Sequence, residues 1–261
     1  MSNPNGRASR IAVLVVAYEN EAFISRLLDR IPEVIAGTKP SILVSDDAST
    51  DRTYALAEGW AIENGRRAIQ VVRRTTNGGY GSNQKSGFAW AARECADVVV
   101  LLHGDEQYPP EMIEDLVQPI VRNEADAVFG SRMLIPGSAR KGGMPLVRFV
   151  GNKTLSRLLN VSSGAHLSEW FSGFRAYRLS VLSAISLDDL SDGFDFDTAI
   201  FLRLLNGEYR IREVPIPTHY GAELSRVPLL KTGLATMSHA GRAALHRLRR
   251  GRAASHHRTR A

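Results

Sequence analysis

Val98-Val99-Val100-Leu101-Leu102-His103-Gly104-Asp105-Glu106-Gln107-Tyr108-Pro109-Pro110 is the stretch on which the fold turns. Five apolar residues run without alternation, as in a strand covered on both faces, and then give way to a polar turn. The proline pair suits the first turn of a helix, where a missing N–H costs nothing. The same order recurs on either side. Residues 11–17, 42–45, 68–73, 98–102 and 127–129 are candidate strands, and 21–34, 53–63, 82–93 and 110–122 are candidate helices. Thr50-Asp51 offers an N-cap ahead of the second helix. The rhythm predicts an α/β fold with an open, mostly parallel twisted sheet flanked by helices. Ligands of such sheets bind beyond the carboxyl ends of the strands, and that is where the polar clusters of this chain fall.

The second half is less regular. Residues 131–145, with Pro136, Gly137, Gly142 and Gly143, predict a long loop. A helix over 146–159, a strand over 174–178, a helix over 197–205 and a strand over 209–214 follow, ended by Pro215 and Pro217. Between Val227 and Arg250, Leu230, Leu234, Met237, Gly241, Leu245 and Leu248 recur at helical spacing, with Lys231, Arg242, Arg247 and Arg249 elsewhere around the helix. Such a stripe fits core packing, a dimer face or a membrane interface. The expected layout is a disordered N-terminus over 1–10, one domain over 11–226, an amphipathic helix over 227–250 and a basic disordered tail over 251–261.

A chain of 261 residues with 44% hydrophobic content can bury a full core without a disulfide or metal staple. The single cysteine, Cys95, excludes an internal disulfide and a multi-cysteine zinc site. Beside Ala96 on an apparent helix, it is expected to be buried. The net charge of +6 is uneven, because no Asp or Glu follows Glu223 while nine Lys and Arg do. A basic end suits anionic lipid headgroups or a solvated tail, and the lack of interleaved aromatics argues against nucleic acid. The N-terminus has no apolar signal-peptide core, and the apolar runs at 11–17 and 98–102 are too short to cross a bilayer. The expectation is a cytoplasmic protein, peripheral on the inner face of a membrane.

Three clusters carry chemistry. Ser45-Asp46-Asp47-Ala48-Ser49-Thr50-Asp51 follows a strand, and its adjacent carboxylates repel unless they have partners: one can accept from a base or ribose while the other caps a helix. In the second, Asp105 is a hard ligand for a divalent cation, Gln107 can add its side-chain carbonyl, and His103 can add nitrogen if the ion is Mn²⁺. The third, Asn77-Gly78-Gly79-Tyr80-Gly81-Ser82-Asn83-Gln84-Lys85, combines a permissive backbone with a helix N-terminus able to take a phosphate, and it is not a Walker loop.

In this order the motifs resemble family 2 glycosyltransferases, in the branch of dolichol-phosphate mannose synthases and bacterial polyprenyl-phosphate glycosyltransferases. Ala17-Tyr18-Glu19-Asn20-Glu21 is similar to the family's first nucleotide-contact loop, and residues 46–51 to its acidic signature. Residues 77–87 match its glycine-rich loop and helix, and Asp105 with Gln107 its metal-binding pair. Gly130-Ser131-Arg132 and Ser172-Gly173-Phe174-Arg175 also match at the right distances. The resemblance covers residues 11–225 and implies a single GT-A domain, with Ala17, Tyr18, Glu21, Asp46, Asp47, Lys85 and Gly104 contacting the donor. The family has Asp-x-Asp where this chain has His103-Gly104-Asp105, so one carboxylate is missing. The basic segment near the acceptor phosphate looks like residues 220–226, with Arg226 in place of lysine.

The resemblance further implies transfer of one sugar, with inversion, from a GDP- or UDP-sugar to a polyprenyl phosphate, assisted by Mg²⁺ or Mn²⁺. Arg132 and Arg175 are expected to stabilise the departing diphosphate, although each also fits an ordinary ion pair. A phosphate acceptor needs no general base, whereas a hydroxyl acceptor would, and Glu169 is the candidate. The competing readings are a same-fold transferase acting on a sugar hydroxyl, a nucleotidyltransferase, and a non-catalytic nucleotide-binding protein at the membrane.

Overall fold

The computed structural model describes residues 8–65, 69–218 and 229–258. Among the described residues seven strands, β1 (Ile11–Ala17), β2 (Ser41–Asp46), β3 (Ile69–Arg73), β4 (Val98–His103), β5 (Ala127–Ser131), β6 (Arg175–Arg178) and β7 (Ile211–Pro215), form one sheet in the order β3-β2-β1-β4-β6-β5-β7. β6 runs antiparallel between β4 and β5, and the other pairings are parallel. All seven residues of β1 are buried, as its unbroken apolar run requires. Val13 and Val15 enter the core on one face, with Leu27, Leu28, Leu116 and Val117. Leu14 and Val16 enter the other, with Phe88, Trp90, Trp170 and Phe201.

The helices are α1 (Ile24–Arg30), α2 (Thr53–Glu63), α3 (Tyr80–Arg93), α4 (Ile113–Val121), α5 (Ser138–Lys141), α6 (Leu146–Ser163), α7 (Leu179–Ala184), α8 (Phe196–Asn206) and α9 (Leu229–Arg258). α1 is shorter than expected because Pro32 forces Ile31 into an extended conformation, φ −66° and ψ 125°. The expected loop over 131–145 holds α5, and α7 was not anticipated. Cys95 is exposed rather than buried: it lies beyond the end of α3 at φ +53°, in the turn that leads to β4. α9 continues past Arg250 to Arg258, over residues free of proline and with Ala253 and Ala254 favouring helix.

The apolar stripe of α9 faces outward. Leu234, Met237, Leu245 and Leu248 are 53–65% exposed, whereas Thr236, His239, Ala240 and Ala243 are buried. α9 therefore docks on α6 and α8 through small and polar residues, and Leu234, Met237, Leu245 and Leu248 are not core residues. His239 Nε2 lies 3.1 Å from Asp195 Oδ2 and fastens the helix to the start of α8.

Candidate active site

The chain steps outward from β1 to β2 and β3, then crosses back to β4 on the other side of β1, which opens a crevice at the strand ends. Register brings the clusters together there: Ala17 pairs with Asp46 and Val16 with His103. Gly104 N–H donates to Val16 O at 2.9 Å, and Asp47 N–H to Ala17 O at 2.9 Å. A Cβ on Gly104 would lie 2.7 Å from Asn20 Oδ1, so glycine is what lets the β4 turn lie against the β1 loop. That loop is in turn zipped to the acidic one. Glu19 accepts from Thr50 N and Oγ1 at 2.7 and 2.8 Å, Asn20 N–H donates to Thr53 Oγ1 at 2.6 Å, and Glu21 accepts from Arg52 N at 3.0 Å. Tyr18 is 40% exposed at the rim.

The paired acids are engaged inside the protein. Asp46 is fully buried, accepts from the Ser49 hydroxyl and amide, and lies 3.7 Å from Arg73. Burial raises its pKa, against the pull of the Ser49 hydrogen bonds. Asp47 accepts from Gly78 N at 3.0 Å, Gly79 N at 2.9 Å and Arg74 Nη1 at 2.9 Å. The glycine loop expected to take a phosphate thus has two of its amides on Asp47. Gly79, at φ +90°, serves close packing: a Cβ there would meet Asp192 O at 2.6 Å. Lys85 faces the same segment, donating to Leu190 O at 2.6 Å and Asp192 Oδ1 at 2.9 Å. Arg73 and Arg74 belong to this cluster and were missed, although two arginines at a strand's carboxyl end were a legible signal.

The β4 turn differs. Glu106, at φ +57°, separates Asp105 from Gln107 and is clamped to α1 by Arg26 at 2.7 Å and Arg30 at 3.4 Å. Asp105 is half-buried and, among the described residues, accepts only from Gln107 N, at 3.2 Å. Of Asp46, Asp47, Asp105 and Glu169, Asp105 alone has no cationic partner among the described residues. No group of three His, Cys, Asp or Glu side chains capable of holding a metal is assembled among the described residues. A divalent ion bound here would find oxygen ligands in Asp105 and the Gln107 carbonyl, and would neutralise negative charge beside them. Burial lowers the His103 pKa despite Asp105 and Asp197.

Three expected catalytic residues lie behind this crevice. Glu169, 2% exposed, takes Arg132 N at 2.8 Å, Arg132 Nε at 3.0 Å, Arg132 Nη2 and Asn152 Nδ2 at 2.8 Å. A carboxylate so occupied is not placed as a base, and Trp170, wholly buried beside it, accounts for its depth. Arg132 is 7% exposed and its Nε and Nη2 lie on that carboxylate, with the guanidinium 5.9 Å above the Tyr108 ring. Arg175 is fully buried between Phe129 and Phe201 and donates to Ser172 O, Trp170 O and Asp197 O, so it meets no ligand directly. Arg226 lies outside the described residues.

Fold and crevice define the class: an α/β protein whose polar clusters gather at the switch point of an open sheet, where such folds bind ligands. Residues 12–185 match the model for glycosyl transferase family 2. The chain is 31% identical over 208 residues to polyprenol monophosphomannose synthase of Mycolicibacterium smegmatis, covering 79% of this chain and 76% of that protein. It is 34% identical over 194 residues to undecaprenyl-phosphate mannosyltransferase of Micrococcus luteus, covering 74% and 75%. Among solved structures, glucosyl-3-phosphoglycerate synthase of Mycobacterium tuberculosis with Mn²⁺, UDP and phosphoglyceric acid superposes with a TM-score of 0.64 at 19% identity, over 89% of this chain and 79% of that one. This likeness concerns the fold. The chain belongs to glycosyl transferase family 2 and is a glycosyltransferase of GT-A fold.

Proposed function

We propose that the protein transfers a single sugar from a nucleotide-sugar to a polyprenyl phosphate at a membrane surface. One observation carries the reading: a chain 31–34% identical to polyprenyl-phosphate mannosyltransferases brings the loops after β1, β2 and β4 to one crevice, with Asp105 there lacking a cationic partner among the described residues. The donor lies across the strand ends, with its nucleoside by Tyr18 and the acidic loop and its diphosphate by Asp105 and Gln107. A bound Mg²⁺ or Mn²⁺ would neutralise charge as the sugar–phosphate bond breaks. The acceptor phosphate is already an anion, so attack on the anomeric carbon needs no base. Engagement of Glu169 with Arg132 disfavours a hydroxyl acceptor.

Docking on lipid is supported by two helices that pack on one another, α6 and α9. Val147, Val150, Leu158 and Val161 of α6 are 40–74% exposed at helical spacing, matching the outward stripe of α9. Neither helix contains an acid, and Arg148, Lys153, Arg157, Arg242 and Arg247 supply positive charge. That composition suits an anionic interface, here the cytoplasmic one. No helix among the described residues is long and apolar enough to span a membrane. Release of UDP or GDP from a panel of nucleotide-sugars, with and without polyprenyl phosphate in anionic vesicles and with Mg²⁺, Mn²⁺ or EDTA, tests the reading. Release that depends on acceptor and metal is expected; release indifferent to polyprenyl phosphate would refute the acceptor.

A further inference from the structure

A buried chain of polar groups runs from the core to the β4 turn. Arg175, a permanent cation, lies 3.5 Å from Asp197 Oδ2, and Gln84 Nε2 donates to Asp197 Oδ1 at 3.0 Å. Tyr80 Oη is 2.9 Å from Asp197 Oδ2 and 2.7 Å from His103 Nε2. A carboxylate held by a guanidinium can only accept, so the single phenolic proton of Tyr80 goes to Asp197. The phenolic oxygen must then accept from His103, which puts the imidazole proton on Nε2. In a neutral ring the lone pair is therefore on Nδ1, which has no hydrogen-bond partner among the described residues.

The ring itself is held in place. Its Nε2 and Cε1 lie where a Cβ on Gly173 would collide, and Tyr108 packs against it edge to face, with centroids 5.1 Å apart. Gly173 N–H donates to Tyr108 Oη at 2.8 Å, so the Ser172–Phe174 segment and the aromatic wall form one support. Arg175 and Asp197 thus act through Tyr80 on a residue at the crevice rather than on the substrate.

We propose that His103 is a metal-selecting ligand, locked by the Arg175–Asp197–Tyr80 chain in the tautomer that leaves Nδ1 able to bind the ion shared with Asp105 and Gln107. This rests on the metal reading of the crevice given above. One nitrogen with two oxygens suits Mn²⁺ and related transition ions better than Mg²⁺, which prefers oxygen alone. A hydrogen bond that fixes the distal nitrogen of a ligating histidine is the usual support of such a site.

Pulsed EPR on the full chain with Mn²⁺ and UDP or GDP reads this directly. With ¹⁵N-histidine protein, the expected result is a nitrogen modulation at Mn²⁺ that changes with the isotope and disappears in His103→Asp. Competition of Mg²⁺ against Mn²⁺ is expected to improve about tenfold in His103→Asp, and Tyr80→Phe to weaken Mn²⁺ several-fold. Bound Mn²⁺ with no histidine modulation in the wild type, and an unchanged Mn²⁺/Mg²⁺ ratio in His103→Asp, would overturn the role of His103 while leaving that of Asp105 intact. Failure of the wild type to bind Mn²⁺ with either nucleotide would overturn both.

Discussion

The crevice at the ends of β1, β2 and β4 and the interior around β5 and β6 are both built from charged side chains, and they use charge in opposite ways. Behind the crevice each charge meets its opposite: Arg132 has Glu169, and Arg175 has Asp197. At the β4 turn Asp105 has no such partner among the described residues, and the clamp holds its neighbour Glu106 instead. A motif places a charged residue near a strand end; only its surroundings decide whether that charge supports the protein or faces a ligand.

If the interior charges are structural, removing one should be felt first in stability. Arg175→Met leaves Asp197 buried and uncompensated, and an expected cost of about 3–5 kcal/mol is read from the urea midpoint. A loss under about 1 kcal/mol would contradict the enclosed pair. Glu169→Gln strands Arg132 and is expected to cost about 2–4 kcal/mol, while transfer to polyprenyl phosphate by the folded fraction stays within about threefold. A hundredfold fall in that rate with stability intact would make Glu169 catalytic.

Smaller effects are expected where only a charge is lost and the shape is kept. Asp47→Asn weakens the hold on the Gly78 and Gly79 amides and on Arg74, and about 1–2 kcal/mol is expected from thermal unfolding. Asp126 provides a pH test. The Arg210 hydrogen bond holds its pKa below the usual carboxylate value, so its contribution to stability is present above the unfolded pKa and is lost as pH falls through the folded one. Asp126→Asn is therefore expected to be slightly less stable at neutral pH and to show a flatter acid decline below about pH 4. Parallel acid limbs in the two proteins would contradict that assignment.

Most of the sheet was legible because its signal is local. The run Ile11–Ala17 becomes β1 with the same bounds, since a strand buried on both faces admits little but Val, Ile, Leu and Ala. The convergence of the three clusters followed from the strand-end rule. What sequence could not give was partnership across distance. Glu169 meets Arg132, 37 residues away. Tyr80 meets Asp197, 117 residues away, and without that contact the buried role of Arg175 had no visible cause. The stripe of α9 left three readings open for a related reason: apolar spacing reveals a helix but not which face docks, and in the fold the small face does so while Leu234, Met237, Leu245 and Leu248 stay exposed.

The most direct test is transfer of labelled sugar to polyprenyl phosphate by wild type and Asp105→Asn at matched folded concentration, each with saturating Mn²⁺. If Asp105 is the principal protein ligand of the ion that stabilises the leaving diphosphate, the variant should keep its fold and lose at least about a hundredfold in rate. An undiminished rate in a folded Asp105→Asn protein would contradict the account.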